Sequence, residues 1–111
     1  GADMIAYRHD AEKFLQSAPQ ERLRYVERFL PKKTVTPDEK KMLKRELALF
    51  VHDIEKVLHE KQPPSPATKE TYESLAKLSS YLQDTGAATR LLAEHLALIL
   101  PSIKSQAPSI K

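Results

Sequence analysis

The feature that most constrains the fold is the spacing of apolar residues between Thr36 and Gln62. These residues follow one another at steps of three and four, which places them along one side of an α-helix. Thr36 suits the helix cap, Pro37 suits the first helical position, and Glu39 completes a capping box. We therefore expect a helix over 37–62 with a buried seam formed by Leu43, Leu47, Phe50, Ile54 and Val57.

A second long apolar pattern follows the proline-rich turn at 63–66. Its three-and-four spacing continues through Gly86 without a change of phase, which favours one long helix over 66–100, either straight or kinked near the glycine. The alternative is a break, because Asp84-Thr85-Gly86 has the chemistry with which one helix ends and another begins. We expect the continuous helix, antiparallel to the first, with a seam that includes Leu75, Leu78, Leu82, Leu92 and Leu96.

Two shorter helical patterns precede these, over 3–18 and 19–30, and Pro19 separates them. At 1.5 Å per residue the 66–100 helix would extend past its partner, so the two short helices must cover the overhanging end. On the second short helix the apolar residues face inward, and Arg22 is assigned to the solvated side.

Composition supports a wholly helical fold. Only two of the 111 residues are glycine, and β-branched residues are few beside leucine, alanine, glutamate and lysine. A chain of this length has room for one core. We predict an all-α, four-helix bundle-like domain over 1–100, followed by a poorly ordered tail at 101–111.

Several functional classes lack their signatures. There is no cysteine, no glycine-rich phosphate loop, no Ser/His/Asp arrangement at familiar spacing and no metal-binding motif. We therefore expect a protein that is not an enzyme and uses no cofactor or metal. No apolar run reaches about 18 residues and no signal-peptide pattern is visible, so we expect no membrane-spanning helix and a cytoplasmic location.

Four apolar residues lie off the two predicted seams, at Met42 and Leu49 on the first helix and at Leu91 and Leu98 on the second. One interpretation is that the short N-terminal helices cover them. The other is a surface for self-association or for a protein partner, because contiguous exposed apolar area usually marks an interface. We expect a helical interaction or oligomerisation module, acting as a homodimer or as a subunit or regulator of a larger assembly.

A cluster of basic residues offers an alternative function. Acidic residues are interleaved with it, which is typical of a solvated face. Contact with nucleic acid or another polyanion is the competing interpretation, although the net charge of +3 does not itself favour one. The residues concerned are Lys32, Lys33, Lys40, Lys41, Lys44 and Arg45.

His52 supports a third hypothesis. The run Phe50-Val51-His52-Asp53-Ile54-Glu55-Lys56 is similar to the phosphoacceptor box of sensor histidine kinases, in which an acidic residue follows the histidine. The proline that follows the box in that family is absent here. The resemblance implies a histidine phosphotransfer domain with His52 as the phosphoacceptor, exposed on the side of the helix opposite the apolar seam.

Overall fold

The computed structural model describes residues 7–30, 36–84 and 88–101. These residues form five α-helices and one 3₁₀ turn, and no strand occurs among them, so the prediction of an all-α fold is confirmed. The elements are α1 (Arg8–Gln16), α2 (Pro19–Val26), the 3₁₀ turn (Glu27–Phe29), α3 (Pro37–Lys61), α4 (Lys69–Leu82) and α5 (Thr89–Ile99).

The start of α3 is held by the expected capping box. The Glu39 backbone N–H donates to the Thr36 hydroxyl at 3.1 Å, and the Thr36 N–H donates to the Glu39 carboxylate at 2.9 Å. Four of the five predicted seam residues are fully buried. Leu43 is only half-buried, because it lies within two turns of the helix start, toward one end of the core.

The prediction of one continuous helix over 66–100 is wrong. The chain forms α4 and α5 instead, and the backbone N–H groups of Gln83 and Asp84 close the last turn of α4 onto Ser80 and Tyr81. Ala88 is extended just before α5 begins, and Gly86 lies outside the described residues. The described bounds therefore match the alternative, in which one helix ends and another begins.

The start of α4 also differs from the prediction. Residues 66–68 form a turn, in which the Ser65 N–H donates to the Thr68 hydroxyl at 2.9 Å, and the helix begins only at Lys69. The predicted seam residues of both segments are nevertheless buried, at Leu75, Leu78, Leu82, Leu92 and Leu96. Two separate helices can thus share one apolar phase, because both pack on the same core.

The two short helices both contribute to the core, but only α2 packs against α5, so the expectation that both cover an overhanging end of one long helix is wrong. Helix α3 packs against α1, α4 and the 3₁₀ turn, while α5 packs against α2, α4 and the same turn. At the ends of α4, the Tyr72 hydroxyl donates to the Gln62 carbonyl at 2.8 Å and the Lys44 ammonium donates to the Asp84 carbonyl. Of the predicted tail at 101–111, Pro101 is described and residues 102–111 lie outside the described residues.

Phe50 of α3 is the centre of an aromatic cluster that joins the N-terminal elements to the central helix. Its ring centroid lies 5.1 Å from Phe14 of α1 and 4.9 Å from Tyr25 of α2. The rings of Tyr7 and Phe29 lie 5.7 and 5.5 Å away. Such contacts add to the free energy of burial when rings meet edge-on or offset.

Arg22 is buried, so its assignment to a solvated face is wrong. Its guanidinium donates five hydrogen bonds, all to main-chain carbonyls at the ends of two helices. The acceptors are Phe14 at 2.7 Å, Leu15 at 3.0 Å, Ala97 at 3.3 Å, Leu100 at 2.8 Å and Pro101 at 2.8 Å. The last carbonyls of a helix have no partner within it and carry partial negative charge, so one cation satisfies both α1 and α5.

Candidate interaction surfaces

The outer side of α5 carries two exposed leucines. Leu91 and Leu98 are 66% and 62% exposed, and seven residues separate them, so they lie on nearly the same line of the helix. The opposite side of α5 is buried against α2 and α4. The N-terminal helices therefore do not cover these leucines, and the interpretation in which they do is wrong.

Met42 and Leu49 form a second exposed apolar pair on α3, at 56% and 47% exposure. They too are seven residues apart and lie opposite the buried seam. The two helices are not principal neighbours, because α3 packs against α1 and α4 whereas α5 packs against α2 and α4. The four predicted residues thus form two surfaces, one on α3 and one on α5.

The residues of the predicted basic region fall into three groups: exposed, half-buried and outside the described residues. Lys40, Lys41 and Arg45 are exposed on α3, and none of them makes a salt bridge to another described residue. Lys44 is half-buried and donates to the Asp84 carbonyl. Lys32 and Lys33 lie outside the described residues, so a continuous basic surface over Lys32–Arg45 stays a prediction.

His52 is exposed on α3, as the phosphoacceptor hypothesis requires. It lies one turn from Glu55, whose pKa is raised by burial, while the charges of His52 and His59 act to lower it. The ring of His59 packs edge-on against Tyr72 at 5.4 Å. Phosphotransfer by His52 is not tested by this arrangement and stays a prediction.

These side chains line an open depression of about 530 Å³ at the C-terminal half of α3. Arg8 of α1 forms an ion pair with Glu60 at its edge, and that hydrogen bond raises the pKa of Arg8 and lowers that of Glu60. Both groups are exposed, so the pair contributes little to stability. The residues lining the depression are Arg8, His52, Glu55, Lys56, His59, Glu60 and Tyr72.

A second depression, of about 570 Å³, adjoins the first at Tyr72. It lies between the prolyl turn and the first turns of α4, where Pro64, Pro66 and Ala76 supply an apolar floor. Lys69 and Glu73 form an exposed ion pair across its edge.

Within the described ranges, no three histidine, aspartate or glutamate side chains are grouped so that they could hold a metal ion. None of the helices in that part of the chain is long and apolar enough to cross a membrane. Comparisons with protein-family models, with curated proteins and with solved structures found no match to this chain.

Two surface features were missed by sequence reasoning. Tyr81 of α4 is 53% exposed, and the helical wheel would have found it, because it falls outside the Leu75/Leu78/Leu82 seam. The second is the depression around Glu55, which brings Arg8 and Tyr72 together from helices distant in sequence. No local pattern in the sequence predicts that contact.

Proposed function

We propose that this chain is a non-enzymatic interaction module that associates with a second copy of itself through the outer side of α5. The observation that carries the proposal is the exposure of Leu91 and Leu98, which are the two most exposed large apolar side chains among the described residues. Fully burying a leucine is worth about 1.5–3 kcal/mol, so leaving two exposed forgoes a sizeable stabilisation. An interface that covers them recovers it.

A two-fold symmetric pair would cover both leucines with the same surface on each copy. By helical-wheel geometry, Glu94 and His95 lie about 50° to either side of the Leu91–Leu98 line. In a parallel pair, the Glu94 side of one helix faces the His95 side of the other. In an antiparallel pair, each of these residues faces its own copy, which sets two carboxylates together. Because a parallel pair avoids this contact between like charges, the parallel arrangement is favoured.

The two edges of the Leu91–Leu98 line carry different polar groups. On one edge Glu94 lies one turn from Arg90 and approaches it to 3.9 Å. Glu94 is half-buried and His95 is exposed. A second copy would thus meet a central apolar line with an acidic edge on one side and an imidazole edge on the other.

The prolyl turn at 63–66 favours antiparallel packing of α3 with α4, and the proposed dimer keeps that packing within each copy. Two contacts support it, from Tyr72 near the start of α4 to Gln62 after α3, and from Lys44 near the start of α3 to Asp84 after α4. Cytoplasmic location stays a prediction, and the proposed association does not depend on it.

Sedimentation equilibrium tests the proposal directly. We expect the unmodified chain to form a dimer that dissociates on dilution, and the double variant Leu91→Glu with Leu98→Glu to stay monomeric with unchanged helical circular dichroism. The matched control is Met42→Glu with Leu49→Glu, which places the same charges at the same spacing on α3 and should still dimerise. A monomeric native chain at all concentrations, or a dimer that survives the α5 variant, would refute the proposal.

A further inference from the structure

The exposed side of α3 carries cations beside its exposed apolar residues. From residue 41 to residue 59, every exposed position on this helix is basic, histidine or apolar. These positions form what we call the α3 strip: Lys41, Met42, Arg45, Leu49, His52, Lys56 and His59. The strip is about 27 Å long at 1.5 Å per residue.

Between residues 41 and 59 the acidic side chains of α3 lie off the strip, whereas Asp38 and Glu39 are exposed just before it. Glu46 accepts a hydrogen bond from the Tyr7 hydroxyl, Asp53 is buried, and Glu55 is half-buried. Glu60, just past the end of the strip, is paired with Arg8 of α1. The cations Lys41, Arg45 and Lys56 make no salt bridge with any described residue, so their charge faces solvent.

We infer that the α3 strip is a docking surface for an acidic amphipathic helix of a partner protein. Met42 and Leu49 are seven residues apart, which is the spacing with which one helix presents apolar anchors to another. The cations lie between and beyond these anchors, so a partner helix with carboxylates beside its own apolar line would neutralise them. This surface lies on a different helix from the proposed self-association and does not depend on it.

Two other anionic partners fit the strip less well. Phosphates of a nucleic acid would meet the cations but would leave Met42 and Leu49 against a polar backbone. A membrane surface binds a broad apolar face, whereas this strip offers only Met42 and Leu49. A protein helix satisfies both the charges and the apolar pair.

Fluorescence anisotropy with a labelled synthetic peptide tests the inference. The probe is an acidic amphipathic peptide of about 20 residues, long enough for the strip, with leucines seven apart and glutamates beside them. We expect saturable binding that weakens as salt is raised. Reversing Arg45→Glu with Lys56→Glu should weaken it at least about tenfold, and Leu49→Ser should also weaken it about tenfold at constant charge.

The matched control is Arg24→Glu with Lys77→Glu, which reverses one arginine and one lysine at exposed positions on α2 and α4. This variant should bind the peptide as the native chain does. A 20-base-pair duplex and vesicles of anionic phospholipid are the competing probes. Equal or tighter binding to either, equal loss in the control variant, no effect of Leu49→Ser, or no binding to the peptide would overturn the inference.

Discussion

Removing the Arg22 guanidinium should destabilise this protein more than any other single change to a polar side chain among the described residues. The group is buried, and its five acceptors are main-chain carbonyls of α1, α5 and Pro101. Its carbon Cζ also lies 5.4 Å from the centre of the Phe14 ring. Burial lowers the pKa of Arg22, yet arginine stays charged in proteins.

The magnitude follows from what the substitution leaves behind. Hydrogen bonds to a charged group are worth about 1.5 kcal/mol each at the low end, so five amount to roughly 7.5 kcal/mol. The cost of burying the cation, several kcal/mol, cancels part of this. A buried ion pair can be replaced by apolar residues without loss, but here the acceptors belong to the backbone and cannot be removed with the donor. We therefore expect Arg22→Met to cost about 3–5 kcal/mol.

Urea unfolding followed by circular dichroism measures this effect, with three variants compared. Arg22→Lys keeps the charge but has only three donors in place of the planar guanidinium, so its loss should be intermediate. Arg24→Met, two residues along α2 and exposed, is the control and should change stability by less than about 0.5 kcal/mol. An Arg22→Met variant within about 1 kcal/mol of the native chain would refute the reasoning.

Three further predictions rest on the same structure. Leu47→Ala, at a fully buried position, should lower the free energy of unfolding by about 2–5 kcal/mol, as measured with urea. Leu43→Ala, at a half-buried position, should lower it clearly less. The reverse order would contradict the described core. Burial, and then the hydrogen bond to Glu46, raise the pKa of Tyr7 to about 12, so its contribution to stability is fully present below about pH 10 and is lost as pH rises toward 12. Tyr7→Phe should therefore flatten the fall in urea midpoint above about pH 10, and an unchanged slope would show that Tyr7 is not its source. His52→Ala should leave stability almost unchanged. If the native chain forms acid-labile phosphate with a phosphodonor and this variant does not, the phosphotransfer hypothesis is established. If the variant still forms the phosphate, His52 is excluded as the acceptor.

Much of the fold could be predicted because the interactions that determine it join residues that are close together in the sequence. The capping box at Thr36 and the seam from Leu47 to Val57 depend on residues a few positions apart, and both are present. Whether the 66–100 segment forms one helix or two could not be predicted in the same way. The spacing of apolar residues shows which side of a helix is buried, but it does not show whether the helix is continuous. The buried residues of α4 and α5 keep the same three-and-four spacing although the two helices are separate.

The burial of Arg22 could not be predicted, because its partners are brought together only by the tertiary fold. Three of its five acceptors lie 75 or more positions away, at the end of α5, and are backbone atoms that leave no sign in the sequence. The exposed pairs on α3 and α5 were identified from spacing alone. Whether they are covered depends on where the short helices pack, and this the sequence left open.

The measurement that tests the central claim most directly is the distance between the α5 helices of two copies. The chain has no cysteine, so His95→Cys gives one spin label per chain beside the Leu91–Leu98 line. Packed helices lie about 8–10 Å apart, so pulsed dipolar spectroscopy should report a label separation of roughly 10–20 Å. Lys13→Cys on α1 is the control and should give a longer distance. A short distance at Lys13, or none at His95 in a sample that sediments as a dimer, would contradict association through α5.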